Sequence, residues 1–519
     1  MRVRCFIFAF LLLLFPLIAF SDQPKIIASI HAGAKQTLFG YHIVPMGDHN
    51  NDGYDDFITW DYRMRAFICQ GGLSPEINVS LQIDSVGALI DNLGDVNEDG
   101  YCDFAITGRS NYGWKLGLYL GGTDMDTLRD AWFGWDSLFG IGCSMYGIDI
   151  NNNGINEIAS RSNTQKSVLI WDVGLMPDSI PDIVLRSNIA EYHFFGEGLT
   201  GGDFNGDGAI DLAVNLRRDP MYHVNGEVWF YWGGQDADTL VDLIIVRRDE
   251  WDWGKEEFGR VLENLGDVNG DGFDDIYAGT GNSSDTMGFV YFCGPLIDTI
   301  PDVIIYEKSE KARAAGDIND DGYSDLILGY GSPWSGSGNA RIFYGGPAMD
   351  NIADIEIYNS DIPGIQYYFG QDVSGVGDFN NDGVDDFAVS AGVDCSVDEY
   401  YDQGVVYVFS GISGSTDVEI EHIHAVPDDF HLYQNYPNPF NPHTIIEFDL
   451  PRRSEVSLNI VNILGRNITC LVADNLSAGT YRVQWNGTDT DNNPVASGVY
   501  FYQLQADNTV TTRKMTLLR

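Results

Sequence analysis

The chain has 519 residues, 44% apolar and 13% aromatic, which excludes wholesale disorder and leaves room for about three domains at roughly 150 residues each. Its 29 Lys and Arg stand against 76 Asp and Glu, a net charge of −47. That balance excludes nucleic acid, whose phosphates need basic side chains. It argues against direct binding to an anionic membrane surface and creates a demand for bound cations.

Residues 1–21 read as a secretory signal peptide. Arg2 and Arg4 precede the apolar run from Phe6 to Phe15, and Ala19-Phe20-Ser21 fits a cleavage site. The mature chain is expected to start near Asp22 and to carry no transmembrane segment, because no later stretch is apolar enough to span a bilayer. Cleavage removes Cys5 and leaves Cys69, Cys102, Cys143, Cys293, Cys395 and Cys470. They are scattered without a C-x-x-C pair, which fits structural roles rather than a zinc site or a disulfide framework.

From there one pattern recurs seven times, D-x-N-x-D-G-x-x-D, with one altered copy. Its first residues are Asp48, Asp95, Asp149, Asp203, Asp267, Asp317 and Asp378, at intervals of 47, 54, 54, 64, 50 and 61 residues. Uneven spacing means a constant core with variable loops. Five units carry an upstream Phe-Gly pair: Phe39-Gly40, Phe139-Gly140, Phe195-Gly196, Phe258-Gly259 and Phe369-Gly370. Downstream comes a short apolar run such as Phe387-Ala388-Val389. An aromatic-rich strand closing on glycine follows, as in Trp229 to Gly234, then a last strand beginning near an Asp, as in Asp302-Val303-Ile304-Ile305.

Each unit therefore reads as four short strands joined by Gly, Asn and Asp turns, with no helical period anywhere. A four-stranded blade has two apolar faces and cannot bury both alone, and packing blades around a ring solves this. The predicted class is all-β. A seven-bladed propeller spans 22–424, a linker 425–436, and a small Ig-like β-sandwich 437–519. Lys25 to Ile30 and Val418 to Ile423 both look like an extra last strand, and one of them should close the ring.

The acidic loops have the donor chemistry of a hard cation such as Ca²⁺, which takes six to eight oxygens in a flexible cage. In the fifth loop Asp267, Asn269 and Asp271 come at alternate positions, the carbonyl of Phe273 adds an oxygen, and Asp275 closes the cage. The same sets are Asp48, Asn50, Asp52, Tyr54 and Asp56; Asp95, Asn97, Asp99, Tyr101 and Asp103; Asp203, Asn205, Asp207, Ala209 and Asp211. The sixth and seventh are Asp317, Asn319, Asp321, Tyr323 and Asp325, and Asp378, Asn380, Asp382, Val384 and Asp386. The third loop departs, with Asp149, Asn151, Asn153, Ile155 and Glu157. Six well-formed calcium sites and a weaker seventh at Asp149–Glu157 are expected. No His or Cys stands at a ligand position, which disfavours softer metals. An EF-hand is rejected on spacing, because its twelfth position needs an acid and Thr59, Ile106, Ser160, Val214, Ala278, Leu328 and Val389 stand there. The expected role of the cations is stability rather than chemistry.

Phe-Gly, then the acidic loop, then a strand ending in Gly-Gly or Gly-Pro resembles the FG-GAP repeat, over about residues 24 to 423. That repeat builds the propeller of integrin α-subunits and of many secreted bacterial proteins. The resemblance implies calcium in the hairpins between the first and second strands, and partner recognition on the opposite face. Strand alternation places long aromatic segments on that face: Tyr112 and Trp114, Trp135, Tyr222 and His223, Trp251 and Trp253, Trp334, Tyr367 and Tyr368, Tyr400 and Tyr401. Aromatics mixed with Asp, Asn and Gly suit sugar rings or peptide side chains.

Composition shifts at Ala425-Val426-Pro427, and Tyr436-Pro437-Asn438-Pro439-Phe440-Asn441-Pro442 leads into five predicted strands: 444–450, 456–462, 479–485, 498–505 and 509–517. This segment resembles the C-terminal sorting domain of type IX secretion cargo, through Tyr436 to Pro442, Leu464-Gly465, Trp485-Asn486-Gly487, Gly498-Val499-Tyr500 and the ending Lys514 to Arg519. The resemblance implies partnership with outer-membrane secretion machinery, export, and a place in the medium or on the cell surface.

No H-E-x-x-H, G-x-S-x-G or Walker loop is present. The expected function is a non-enzymatic, calcium-binding adhesion or ligand-binding module with an extracellular protein or glycan as partner. The alternative is a secreted propeller hydrolase or lyase acting on polysaccharide.

Overall fold

The computed structural model describes residues 24–518 apart from short gaps and the longer segments 32–38, 73–78, 123–127, 134–140, 173–179, 188–192, 219–225, 248–257, 281–286, 332–337, 395–403, 413–429 and 489–494. The signal peptide, the candidate closing strand at 418–423 and most of the aromatic segments lie outside the described residues. The chain divides into two compact units, 1–413 and 414–519.

In the first unit the described residues form seven four-stranded antiparallel sheets, six of them in simple sequential order. The first runs Ile43–Gly47, Asp56–Asp61, Arg65–Cys69, Val79–Asp84, and the fourth His193–Gly202, Asp211–Arg218, Glu227–Tyr231, Leu243–Val246. The last takes its outer strand from the other end of the unit, where Ile26–His31 pairs antiparallel with Val405–Phe409. That pairing selects the N-terminal candidate for ring closure. The innermost strands of consecutive sheets lie side by side, and the seventh, Val373–Gly377, returns against the first. The unit is a β-propeller.

Its cores sit between blades rather than within them. Seven clusters of buried apolar side chains each bridge two consecutive blades among the described residues. The cluster that joins the ends combines Phe39, Phe57 and Phe67 of the first blade with Phe379, Val406 and Val408 of the last. A strand buried on both faces reads as a continuous apolar run, which is why Asp56–Asp61 and Ser167–Trp171 are buried at every position.

The Phe-Gly pair is an inter-blade device. Phe195 is fully buried against Trp229, with ring centroids 5.6 Å apart. Gly196 has φ +80°, and a Cβ there would meet Val168 Cγ2 of the preceding blade at 2.7 Å. Only glycine combines the left-handed turn with that approach. The glycine pair that ends the third strand does a related task. Gly234 donates its N–H to the carbonyl of Ile150 in the preceding blade at 2.8 Å, and a Cβ on Gly233 would lie 2.1 Å from the Ile210 carbonyl. The same latch recurs from Gly72 to Phe379, Gly294 to Phe204, Gly346 to Val268 and Ile412 to Ile318.

The second unit pairs a three-stranded sheet, His431–Leu432, Thr444–Leu450 and Gly479–Trp485, with a four-stranded one, Asn467–Leu476, Ser454–Asn462, Gly498–Ala506 and Thr509–Leu517. Trp485, Tyr481, Tyr502 and Phe448 fill one core shared by both sheets. The five predicted strands are present. Asn467–Leu476 was not predicted: it is an edge strand whose register against Ser454–Asn462 is broken by two shifts, so its alternation is blurred. Pairing also begins earlier than the expected boundary, since His431–Leu432 and the buried Asn435 fall inside the stretch read as linker.

Candidate metal centres

Each acidic loop joins the first and second strands of a blade, and the seven share one scaffold. The first Asp accepts backbone N–H groups from the fifth and sixth residues. In the fifth loop Asp267 Oδ1 takes Asp271 N–H at 3.0 Å and Oδ2 takes Gly272 N–H at 2.8 Å. Asn269 Oδ1 accepts the same Asp271 N–H at 2.8 Å, so the first and third side chains converge on one amide. Asp271 Oδ1 accepts Phe273 N–H at 3.2 Å. Gly272, at φ +91°, supplies the left-handed turn.

The ninth residue is different in kind. Asp56, Asp103, Asp211, Asp275, Asp325 and Asp386 are all 0% exposed. Asp275 accepts Val268 N–H at 3.0 Å from its own loop and Cys293 N–H at 2.8 Å from the glycine turn after the third strand. Burial pushes these carboxyls up, the backbone N–H groups pull them down, and the loop's other acids push them up again. The balance is about 7 for Asp211, Asp275 and Asp386, about 8 for Asp325 and about 6 for Asp103. Glu157 of the third loop reaches about 7 for the same reasons.

The predicted ligands therefore share each loop, but their carboxylates do not converge. Among the described residues no group of three or more His, Cys, Asp or Glu side chains gathers to chelate a metal. The acids face the loop's own amides instead, and neutral amides stand between them. Asn269 Nδ2 donates to Asp271 Oδ2 at 3.1 Å, and Asn205 Nδ2 to Asp211 Oδ1 at 3.3 Å. The donor set nonetheless fits a hard cation. It is all oxygen, and it holds a buried carboxylate whose ionisation is opposed by burial and by two more acids.

Two features escaped the reading of the sequence. The second loop residue is apolar in six loops, whereas His49 stands there in the first and its Nδ1 bonds Asp56 Oδ2. That break in the repeat was the available signal. In three loops the eighth residue is an Asp that ties the loop to the one before it. Asp274 Oδ2 accepts Asp203 N–H at 3.0 Å, Asp385 Oδ2 accepts Asp317 N–H at 2.9 Å, and Asp55 Oδ2 accepts Asp378 N–H at 2.8 Å across the ring closure.

A second cluster lies on the inner strands. Val44, Asp91, Tyr146, Thr200, Glu263, Arg313 and Ser374 occupy one register, each opposite the second residue after the closing acid. Arg313 Nη1 pairs with Glu263 Oε2 at 3.0 Å. Nearby, Asp372 pairs with Lys311 at 3.5 Å and His42 at 3.0 Å. Burial works to raise Asp372, but these neighbours overcome it and hold the carboxyl well below its usual range. Among the described residues Asp91 has no ion-pair partner at hand: its Oδ1 accepts the Asn92 N–H at 3.0 Å, its Oδ2 makes no hydrogen bond, and burial pushes it up to about 8. No sequence signal brings these residues together, because they come from different blades. Of the aromatic face, Tyr368 is described, half-buried with φ +63°.

Comparison with known proteins follows the division into units. The model of the secretion system C-terminal sorting domain, Por_Secre_tail, matches residues 434–517. Integrin alpha-4 of Xenopus laevis is 31% identical over 99 residues, 19% of this chain and 9% of that protein. Integrin alpha-7 of Mus musculus is 32% identical over 137 residues, 26% of this chain and 11% of its own length. The chain thus spans about a tenth of these curated relatives. PorZ, an essential bacterial surface component of the type IX secretion system of Porphyromonas gingivalis, aligns over 89% of this chain and 64% of its own, at 13% identity and TM-score 0.29. A Polycomb Repressive Complex 2 structure from Chaetomium thermophilum aligns over 76% of this chain and 100% of its own, at 10% identity and TM-score 0.45. The chain carries a type IX sorting domain, which marks it for export to the cell surface or the medium, and its propeller has integrin α-subunits among its relatives at low identity.

Proposed function

We propose that this chain is an exported, calcium-loaded propeller that binds an extracellular ligand without chemistry of its own. The observation that carries the cation is the sixfold repetition of a fully buried closing acid beside two further acids on one short loop. Asp, Asn, Asp, a backbone carbonyl and the closing Asp would hold Ca²⁺, with Asp149, Asn151, Asn153 and Glu157 forming the weakest site. The ion would supply positive charge that relieves the carboxylates, so its effect is on stability and rigidity.

The ligand face is the opposite one, where the variable aromatic loops lie. A glycan or matrix protein fits their composition. The second reading, a polysaccharide hydrolase or lyase, is favoured by one observation: the axial layer places Asp91 and Glu263 in differing environments on inner strands. One experiment separates the two. The mature protein in millimolar calcium is incubated with insoluble glycans and matrix proteins, and both its depletion and the release of soluble fragments are measured. Depletion reversed by chelator supports the binder; fragment release sinks it. Export is tested separately by deleting 428–519, which should retain the protein in the periplasm.

A further inference from the structure

The loop between the third and fourth strands carries its own repeat, which the function above does not use. Five blades share Asp-(Thr/Ser/Asn)-(Leu/Ile)-x-Asp: Asp126 to Asp130, Asp178 to Asp182, Asp238 to Asp242, Asp298 to Asp302 and Asp350 to Asp354. In three of these blades the first Asp makes a tight turn by accepting the N–H of the aliphatic residue. The distances are 2.6 Å for Asp238 with Leu240, and 2.7 Å for Asp298 with Ile300 and for Asp350 with Ile352. The last Asp accepts an N–H from the end of the third strand, 2.9 Å for Asp242 with Trp232 and 2.8 Å for Asp302 with Phe292. The loop is thus a built structure, and its tip is one large aliphatic side chain held in water. Leu128 is 71% exposed, Ile180 68%, Leu240 70%, Ile300 69% and Ile352 66%.

A single exposed Leu or Ile needs no explanation. Five at one equivalent position do, because the turn itself makes no demand on that side chain. Antiparallel order puts these loops at the same end of the blades as the acidic loops, and strand order puts them farther from the axis. One face therefore carries an inner ring of acidic loops and, on five consecutive blades of the seven, an outer row of aliphatic tips, one on each. Ring symmetry sets the tips at a common height.

We infer that this face docks on a phosphate-bearing lipid surface, with calcium in the inner loops meeting the phosphates and the five aliphatic tips entering the acyl boundary. This rests on the cation reading for the inner ring; the tips stand independently of it. Isolated tips separated by blade widths favour a fluid partner, since a protein would need five matching recesses at fixed spacing, whereas lipid admits each tip where it falls. The bare acidic face would be repelled by phosphate, and one Ca²⁺ does not cancel three acids, so docking would need direct coordination: the five loop oxygens leave a calcium ion about one to three positions for phosphate oxygens. The sorting domain delivers the chain to the outside of a lipid-bounded cell.

The test uses mature full-length protein and vesicles of equimolar phosphatidylcholine and phosphatidylglycerol, pelleted with and without calcium. A variant carrying Leu128→Ser, Ile180→Ser, Leu240→Ser, Ile300→Ser and Ile352→Ser is compared, with its melting temperature as the folding control. Pelleting in calcium is expected, with at least a tenfold loss of partitioning in the variant at unchanged melting temperature, since one buried aliphatic is worth about tenfold. Equal pelleting of the variant, or none by the native protein, overturns the proposal. So does calcium-dependent self-association without vesicles that the variant abolishes, which would make the face an interface between copies. A native melting temperature indifferent to chelator would defeat the cation reading alone; vesicles of pure phosphatidylcholine without calcium then judge the tips by themselves.

Discussion

The third and fifth acidic loops have nearly the same hydrogen bonds and very different charge. Asp149 accepts Asn153 N–H at 2.9 Å and Gly154 N–H at 2.8 Å, as Asp267 accepts Asp271 and Gly272. Asn153 Oδ1 accepts Ile155 N–H at 2.7 Å, the bond that Asp271 Oδ1 makes to Phe273. Glu157 accepts Ile150 N–H at 3.0 Å, as Asp275 accepts Val268. A neutral amide therefore builds the turn as well as a carboxylate does. The extra negative charge at the fifth position of six loops exceeds what the fold requires, and a cation is the simplest use for it.

Removing divalent ions should sharpen this contrast most. At ten times the dissociation constant each occupied loop adds about 1.4 kcal/mol to the folded state. Six such loops would together contribute more than half of the stability of an ordinary domain. The expected result is a large drop in melting temperature on chelation, restored by calcium. An unchanged melting curve would leave the excess acids unexplained and end the cation reading.

The next effect is on pH dependence. Asp211, Asp275 and Asp386 have folded values near 7, raised from an unfolded value of about 4 by burial, so between these limits the folded state binds more protons. In chelator, stability should rise as pH falls from 8 toward 5 and be lost as pH rises through about 7. In calcium the stabilising effect of the ion should shrink over the same descent, because protons compete for the carboxylates. Parallel melting curves with and without calcium across that range would break the link between the closing acids and the ion.

Much of this was legible because the loop's spacing is local. D-x-N-x-D-G fixes the turn from within nine residues, and the glycines mark it. What was not legible depends on distant partners. Two segments matched the closing strand equally well, and only the pairing of Ile26–His31 with Val405–Phe409 decides between them. The closing acid was read as a ligand alone, whereas it also accepts an N–H some eighteen residues onward, as Asp275 does from Cys293. The axial layer of Asp91, Glu263 and Arg313 draws on separate blades, and no one-dimensional pattern announces it.

Single substitutions should separate scaffold from charge. Asp271→Asn converts the fifth loop toward the third. In chelator it should be close to neutral, since Asn can accept the Phe273 N–H and one repulsive charge is gone, while the bond from Asn269 Nδ2 is given up. In calcium it should cost about one site, roughly 1.4 kcal/mol. The reverse change, Asn153→Asp, should enlarge the calcium effect by a similar amount. Equal losses from Asp271→Asn with and without calcium would mean that the carboxylate serves the turn after all.

The smallest expected effect tests whether the loops act singly. Asp274 is not among the predicted ligands of the fifth loop; it reaches into the fourth blade, accepting Asp203 N–H at 3.0 Å, and is steadied within its own blade by Asn264 Nδ2 at 3.2 Å. Asp203 is the first predicted ligand of the fourth loop, so the fifth blade holds the backbone of its neighbour's site. Asp274→Ala should lower calcium affinity at the fourth loop several-fold, a part of the worth of one hydrogen bond to a charged acceptor because Asp203 keeps its other bonds, and leave the fifth loop's own donors in place. Calorimetric titration of Asp274→Ala against the double variant with Asp207→Asn reads this directly. If the loops are coupled, the affinity change disappears once the fourth site has been disabled; if it persists, Asp274 acts on its own loop and the sites are independent.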